Sequence, residues 1–284
     1  MVGIISKKKL NECYTFGFIT YIDNILYIFF ILRNIMKNFN SHVGFVFDLD
    51  GTLINSTDIG KIIERKIYDK FNIQLDAKFE KEKDELIYKI VQGDNRKNLG
   101  KKVMLAIFKK LGLSFCQRIQ ALIYSGKIFK EENKKVVLFN GVEELFEFLD
   151  EKSHPYAIAT TSSKKEIEDR LKKFPDFYGK LDGKIITRDS VKHLKPHPES
   201  IKKASEIMGV PLNRCVMVGD MHSDINMGKA VNAITVGVLT GIFTKDKFLE
   251  HQPDFILDSV ADIPKIMDRI NEKVGYHNSQ KVKS

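Results

Sequence analysis

The chain has 284 residues, 43% hydrophobic and 29% charged; this excludes a disordered or collagen-like polypeptide and suffices for one sizeable core with a smaller companion domain. Its formal net charge of +9 suits an anionic partner such as a phosphate ester, but the lysines are dispersed as solvated lysines are. No arginine-rich block alternates with aromatics, so no nucleic-acid partner is expected. Cys13, Cys116 and Cys215 are widely separated, which excludes a disulfide framework or a C-x-x-C zinc site and fits a reducing, cytoplasmic setting.

From Tyr14 to Leu32 the chain is mostly apolar, with Lys7, Lys8 and Lys9 before it and Arg33 and Lys37 after it. Its length, about 19 residues, approaches that of a membrane span. Asp23 and Asn24 interrupt its middle, where one acid costs roughly 2.5–3.5 kcal/mol at mid-bilayer, and no small-residue cleavage site follows. The compact protein is therefore expected to start near Met36, residues 1–35 being an extension outside the fold. A weak anchor over residues 14–32 is the alternative, and an intact mass of the native protein that includes residues 1–35 would sink the first reading.

Phe45-Val46-Phe47 reads as a strand buried on both faces, and it delivers Asp48-Leu49-Asp50-Gly51-Thr52-Leu53 into a turn. If the chain stays extended, Asp48 and Asp50 share a side while Leu49 turns to the core. Helical periodicity follows for about eighty residues. Ile59, Ile62, Ile63, Ile67 and Phe71 recur at three and four, as do Phe79, Leu86, Ile87, Ile90 and Val91, then Val103, Ala106, Ile107 and Leu111, then Phe115, Ile119, Leu122 and Ile123. Breaks at Gly93-Asp94-Asn95-Arg96 and Gly112-Leu113-Ser114 divide the stretch into about four helices, a bundle over residues 56–138.

From Gly141 strands and helices alternate, which predicts a doubly wound α/β fold with a parallel sheet, built from residues 36–55 and 139–271. Strands are expected at Tyr156 to Ala159, Lys184 to Ile186, Cys215 to Val218, Ala233 to Val238 and Phe255 to Leu257. Helices are expected near Val142 to Glu151, Lys164 to Lys173, Pro198 to Met208, Asp224 to Ala230 and Ala261 to Asn271, with residues 272–284 a frayed polar tail.

The strand ends carry the chemistry. Ala157-Ile158-Ala159 runs into Thr160-Thr161-Ser162-Ser163, hydroxyls and N–H groups that form either an anion site or a plain helix cap. Cys215 to Val218 runs into Gly219-Asp220-Met221-His222-Ser223-Asp224. With Asp48 and Asp50, four carboxylates would converge on one sheet edge, and a hard divalent cation, Mg2+, relieves their repulsion best.

Asp48-Leu49-Asp50-Gly51-Thr52, then Thr160, then Lys195-Pro196, then Gly219-Asp220 with Asp224 resemble the four ordered motifs of the haloacid dehalogenase-like hydrolase superfamily, over Val43 to about Asn271. The resemblance implies a Rossmann-like core with an inserted helical cap. Thr187-Arg188-Asp189-Ser190 leading to Lys195-Pro196-His197-Pro198 looks most like the phosphoglycolate phosphatase type. By this resemblance Asp48 is the nucleophile that forms an aspartyl-phosphate, and Asp50 protonates the leaving group and then activates water. Thr160, with Thr161, would bond phosphoryl oxygens, Lys195 would neutralise charge, and Thr52 would pin the turn. Mg2+ would be held by Asp48, the Asp50 main-chain carbonyl, Asp220 and Asp224. Arg96 is a candidate for a substrate carboxylate or second phosphate, or a surface cation.

His222 is taken as solvated or next to the metal's ligands, His193 and His197 as shaping the turn around Lys195, and Cys215 as core. The expected activity is Mg2+-dependent hydrolysis of a small phosphorylated metabolite, 2-phosphoglycolate first. A β-phosphoglucomutase-type mutase or a pyrophosphatase or nucleotidase is the alternative, and a scaffold that kept the fold is disfavoured by the intact acids. Nothing in the sequence specifies an oligomer.

Overall fold

The computed structural model describes residues 42–74, 77–92 and 99–281. Contacts divide the chain into Met1–His42 and Val43–Ser284, and the second unit carries all that follows. Six strands, β1 (Gly44–Phe47), β2 (Tyr156–Ala159), β3 (Ile185–Ile186), β4 (Cys215–Gly219), β5 (Ile234–Val238) and β6 (Phe255–Leu257), form a sheet in the order β3-β2-β1-β4-β5-β6. Every pairing is parallel, as the alternation of strand and helix predicts.

Apolar runs make such strands because both faces are covered. In β1, Phe45 and Phe47 enter one core with Phe146, Ile158 and Val218, while Val46 enters the opposite core with Ala157, Ile201 and Met217. The first core is closed by α5 (Val142–Glu151), whose Val142, Leu145, Phe146 and Leu149 are buried. The second is closed by α8 (Glu199–Met208) through Ile201, Ala204 and Met208. Full burial of each such side chain contributes roughly 1.5–3 kcal/mol. After β1 the chain builds outward to β2 and β3, then returns to β4 on the other side of β1. The carboxyl ends of β1 and β4 therefore flank the point where strand order reverses, the crevice in which such sheets take ligands.

Between β1 and α5 lie four helices, α1 (Thr57–Phe71), α2 (Ala77–Gln92), α3 (Leu99–Lys110) and α4 (Phe115–Glu132). In α1 the periodic Ile59, Ile63 and Ile67 are the buried face. α4 forms where the periodicity predicts a helix, but its apolar repeat is not the face it buries. Phe115, Ile119 and Ile123 are 68%, 45% and 60% exposed, and the buried stripe is Ala121, Ser125 and Ile128. Small residues bring α4 close to α1, and close approach outweighs the larger apolar side chains on the other face.

Two short helices, α7 (Pro175–Lys180) and α10 (Lys245–His251), are too brief to set up a legible period. The stretch expected as one helix from Ala261 opens as a 3-10 segment, Val260–Ile266, and continues as α11 (Met267–Lys281). That helix runs beyond the expected end at Asn271, because Val274 extends the buried stripe of Ile266 and Ile270. Among the described residues no helix is long and apolar enough to cross a membrane; the apolar stretch 14–32 and the candidate start at Met36 lie outside them.

Candidate active site

β1 carries Asp48 to the sheet edge, where its N–H donates to the Val218 carbonyl at 2.8 Å. β4 ends at Gly219, and the next residue is Asp220. Helix α9 (His222–Lys229) holds Asp224 in its first turn, where Oδ2 accepts the Met221 N–H at 3.2 Å. Asp48, Asp220 and Asp224 are all buried, each with an oxygen within 4.8 Å of the others'. Gly219 is required here, since a Cβ would run into the Asp224 carboxylate.

Lys195 is the counter-charge. It is 3% exposed and donates through Nζ to Asp48 Oδ1 and to Asp224 Oδ1, both at 2.7 Å. Burial works against its charge, but the Asp224 and Asp48 carboxylates outweigh burial and hold its pKa above the ordinary lysine value. One ammonium does not offset three acids. Burial, with the charges of Asp224 and Asp50, pushes Asp48 up to about 7 despite Lys195. Asp220 is raised well above the ordinary carboxylate value, by burial first and then by Asp48 and Asp224.

Asp220 Oδ2 accepts the Ile242 N–H at 3.0 Å, while Oδ1 is buried with no hydrogen-bond partner. An all-oxygen cluster with excess negative charge and an orphaned acceptor fits a hard divalent cation such as Mg2+. The surroundings are shaped to it. A Cβ on Gly51 (φ 78°) would lie 2.5 Å from Asp220 Oδ2, and one on Gly241 would strike the same carboxylate. Gly241→Ala should therefore push Asp220 aside and raise the Mg2+ concentration for half-maximal activity about tenfold or more. An unchanged Mg2+ titration would count against Asp220 as a ligand.

Asp50 does not join the three-acid cluster. Its carboxylate accepts Ser162 Oγ–H at 2.8 Å through Oδ2 and the Arg170 guanidinium at 2.5 Å through Oδ1. Arg170 is buried on α6 (Lys164–Leu171) and also donates to Asn133 Oδ1 and Ser162 Oγ. Sequence reasoning missed Arg170, although a signal existed: it falls on the apolar face with Ile167 and Leu171, where a lone arginine needs a partner. Arg170→Ala should release Asp50 and lower kcat roughly 10²-fold, the scale of misplaced acid–base catalysis, with KM little changed. A loss confined to KM would place Arg170 on the substrate instead.

The hydroxyl cluster divides its duties. Ser163 is the N-cap of α6, in a capping box with Glu166. Thr160 is buried and its Oγ1 accepts the Ser162 N–H at 3.0 Å. Thr161 is exposed. Thr52 does not pin the turn: its buried Oγ1 has no partner, and the turn is held by Leu53 N–H and Ile54 N–H to the Leu49 carbonyl and by Thr240 Oγ1–H to the Gly51 carbonyl.

His222 is not solvated but buried, in a three-ring cluster with Phe243 and His251, whose centroids lie 5.3 and 5.2 Å from its own and 6.0 Å from each other. Cys215 is core as expected, its thiol pushed up to about 12 by burial. Arg96 lies outside the described residues. Beside Asp220, a cavity of about 810 Å3 extends from Met221 and Ile242 to Lys61, Arg65 and Tyr68 on α1.

Solved structures share this fold. A predicted phosphoglycolate phosphatase from Haemophilus somnus is 21% identical, with a TM-score of 0.63 over 80% of this chain and 98% of its own. A family hydrolase from Deinococcus radiodurans, solved with bound phosphate and sodium, is 17% identical with a TM-score of 0.64 over 82% and 98%. Among curated sequences, the pyrophosphatase PpaX of Bacillus mycoides is 28% identical over 230 residues, 80% of this chain and 97% of PpaX. The sequence profile of the haloacid dehalogenase-like hydrolases matches residues 45–238, a span holding Asp48, Asp50, Thr160, Lys195, Asp220 and Asp224, and the chain belongs to that family.

Proposed function

We propose that the protein is a Mg2+-dependent phosphatase of a small phosphorylated metabolite, working through an aspartyl-phosphate on Asp48. The observation that carries the reading is the division of labour between two acids two residues apart. Asp48 is buried against Lys195, whereas Asp50 is half-buried and oriented by Ser162 and Arg170.

A carboxylate oxygen of Asp48 forms a bond to phosphorus as the bond to the leaving oxygen breaks, and Asp50 gives that oxygen its proton. Asp50, now a base, takes a proton from the water that attacks the aspartyl-phosphate; inorganic phosphate leaves and Asp48 is restored. Lys195 keeps its charge throughout and offsets negative charge on Asp48 and the phosphoryl group. Thr160, with Thr161 at the rim, offers hydroxyls to phosphoryl oxygens. Asp48, Asp220, Asp224 and the Asp50 main-chain carbonyl would hold Mg2+, which would supply neutralisation of negative charge on the phosphoryl group.

The first candidate substrate is 2-phosphoglycolate. Pyrophosphate is a second, suggested by the name of the PpaX relatives; along the cavity Lys61 and Arg65 could meet a second anionic group, although Glu64 and Asp69 line it too, and Arg96 is a further candidate for that role. The test is a phosphate-release screen with Mg2+ over phosphoglycolate, pyrophosphate, sugar phosphates and nucleoside monophosphates. Release from none of them would overturn the phosphatase reading, and isomerisation of a sugar phosphate without release would favour a mutase.

A further inference from the structure

We propose a second metal site, for a borderline-soft divalent ion such as Zn2+, formed by His193, His197 and Glu199 on the loop that presents Lys195. These three residues each offer a ligand atom within 4.8 Å of the others. His193 Nδ1 already lies 3.2 Å from Glu199 Oε2. Two ligands about 2.0–2.1 Å from a tetrahedral ion are separated by roughly 3.3 Å, and the His193 ring already reaches the Glu199 carboxylate at that range, through a hydrogen bond that a bound ion would replace. The two imidazole rings are 4.4 Å apart between centroids and inclined by 35°. Both histidines are exposed, which leaves their rings room to turn toward a common ion.

The third ligand is fixed from behind. The Glu199 carboxylate accepts the Lys192 N–H through both oxygens at 3.0 and 3.1 Å, and the His193 N–H at 3.0 Å. Oε2 accepts both backbone N–H groups, so an ion is taken by Oε1, which accepts only the Lys192 N–H and keeps a lone-pair position. The backbone N–H of Lys192 leads the contacts that lower Glu199 to about 2 against the opposing effect of burial, leaving it ionised. The neighbouring cation, Lys203, lies 3.6 Å from Oε1 and donates to the Ser190 carbonyl, so a bound ion would displace that ion pair while Lys203 keeps its backbone partner.

His197 Nδ1 accepts the Glu199 N–H at 3.3 Å, a long hydrogen bond that this lone pair would give up to hold an ion. The turn that gathers the set is closed by His197 N–H to the Leu194 carbonyl at 3.0 Å. Two imidazoles and one carboxylate select Zn2+, Ni2+ or Cu2+ over Mg2+, the opposite preference from Asp48, Asp220 and Asp224. The two clusters can therefore load independently. The ligands stand two residues before and two and four after Lys195, so a bound ion ties the two sides of the turn that aims its ammonium.

Full-length protein, titrated with Zn2+ alone by calorimetry while millimolar Mg2+ occupies the acidic cluster, should bind one Zn2+ per chain. Co2+ in its place should give the strong visible bands of a low-coordinate nitrogen-containing site, which an octahedral oxygen site lacks. His193→Ala and His197→Ala should each weaken Zn2+ binding at least about tenfold while the melting temperature of the Zn2+-free protein stays near that of the wild type. Asp220→Asn should leave Zn2+ binding intact. The proposal is overturned by absence of Zn2+ binding above the Mg2+ background, by binding that survives in the double histidine variant, or by binding lost in Asp220→Asn.

Discussion

Asp48→Asn is expected to abolish turnover, by at least about 10⁴-fold in kcat, because an amide cannot form the aspartyl-phosphate and no other carboxylate stands in its place. The fold should survive, since the amide oxygen still offers an acceptor to Lys195 Nζ, now 2.7 Å from Asp48 Oδ1. Phosphate release by the variant within tenfold of the wild type would refute Asp48 as nucleophile. The same substitution reads out the electrostatics. Burial, with Asp224 and Asp50, pushes Asp48 up from 3.8 to about 7, so the folded protein retains a proton that the unfolded chain has already released. The resulting stabilisation is fully present below pH 3.8 and is lost as pH rises through 7.

Metal-free protein should therefore melt at progressively lower temperature between about pH 4 and 8. Asp48→Asn should flatten that fall, leaving the part due to Asp220, which is raised in the same direction. Mg2+ favours the ionised acids, so it should stabilise more at pH 8 than at pH 5 and should move the acid limb of kcat/KM downward. A Mg2+ shift in melting temperature independent of pH would contradict the buried acid cluster.

Lys195→Met is expected to be the most destabilising replacement at the site. It removes the ammonium that bonds Asp48 and Asp224 and leaves two buried carboxylates facing each other without compensation. Breaking one side of a buried ion network costs roughly 3–5 kcal/mol, and a domain of this size loses roughly 2–4 °C of melting temperature per kcal/mol. The loss should be largest at pH 8 and shrink toward pH 5, where the carboxylates take up protons. Mg2+ should recover part of the stability but not the activity, because a cation held by the acids does not occupy the place of Nζ. Lys195→Arg should not rescue either property, since a planar, larger guanidinium does not fit a position 3% exposed. Melting curves that match the wild type at pH 8 would remove Lys195 from the network.

Much of this was legible in the residues. The uninterrupted apolar strands, the alternation after Gly141 and the order of Asp48, Thr160, Lys195 and Asp220 specify a doubly wound sheet with polar residues at its strand ends, and the structure has that sheet. The α4 face was not legible, because periodicity reports where apolar residues lie and not which neighbour comes close. Phe115, Ile119 and Ile123 outrank Ala121 and Ser125 in hydrophobicity, yet the small pair lies in the buried stripe, with Ile128. Arg170 was missed for the same kind of reason: its partners Asp50 and Asn133 are 120 and 37 residues away.

The sequence by itself determined the chemistry available, namely which carboxylates, hydroxyls and amines stand at the ends of which strands, since that follows from local pattern and chain order. Tertiary structure alone decided how they are shared. Parallel pairing of β1 with β4 brings Asp48 to Asp220 and Asp224, and the loop before α8 delivers Lys195 between them. Arg170 meanwhile draws Asp50 out of the cluster toward Ser162. Charge interactions depend on distance and burial, and both are set only when segments far apart in the chain pack against each other.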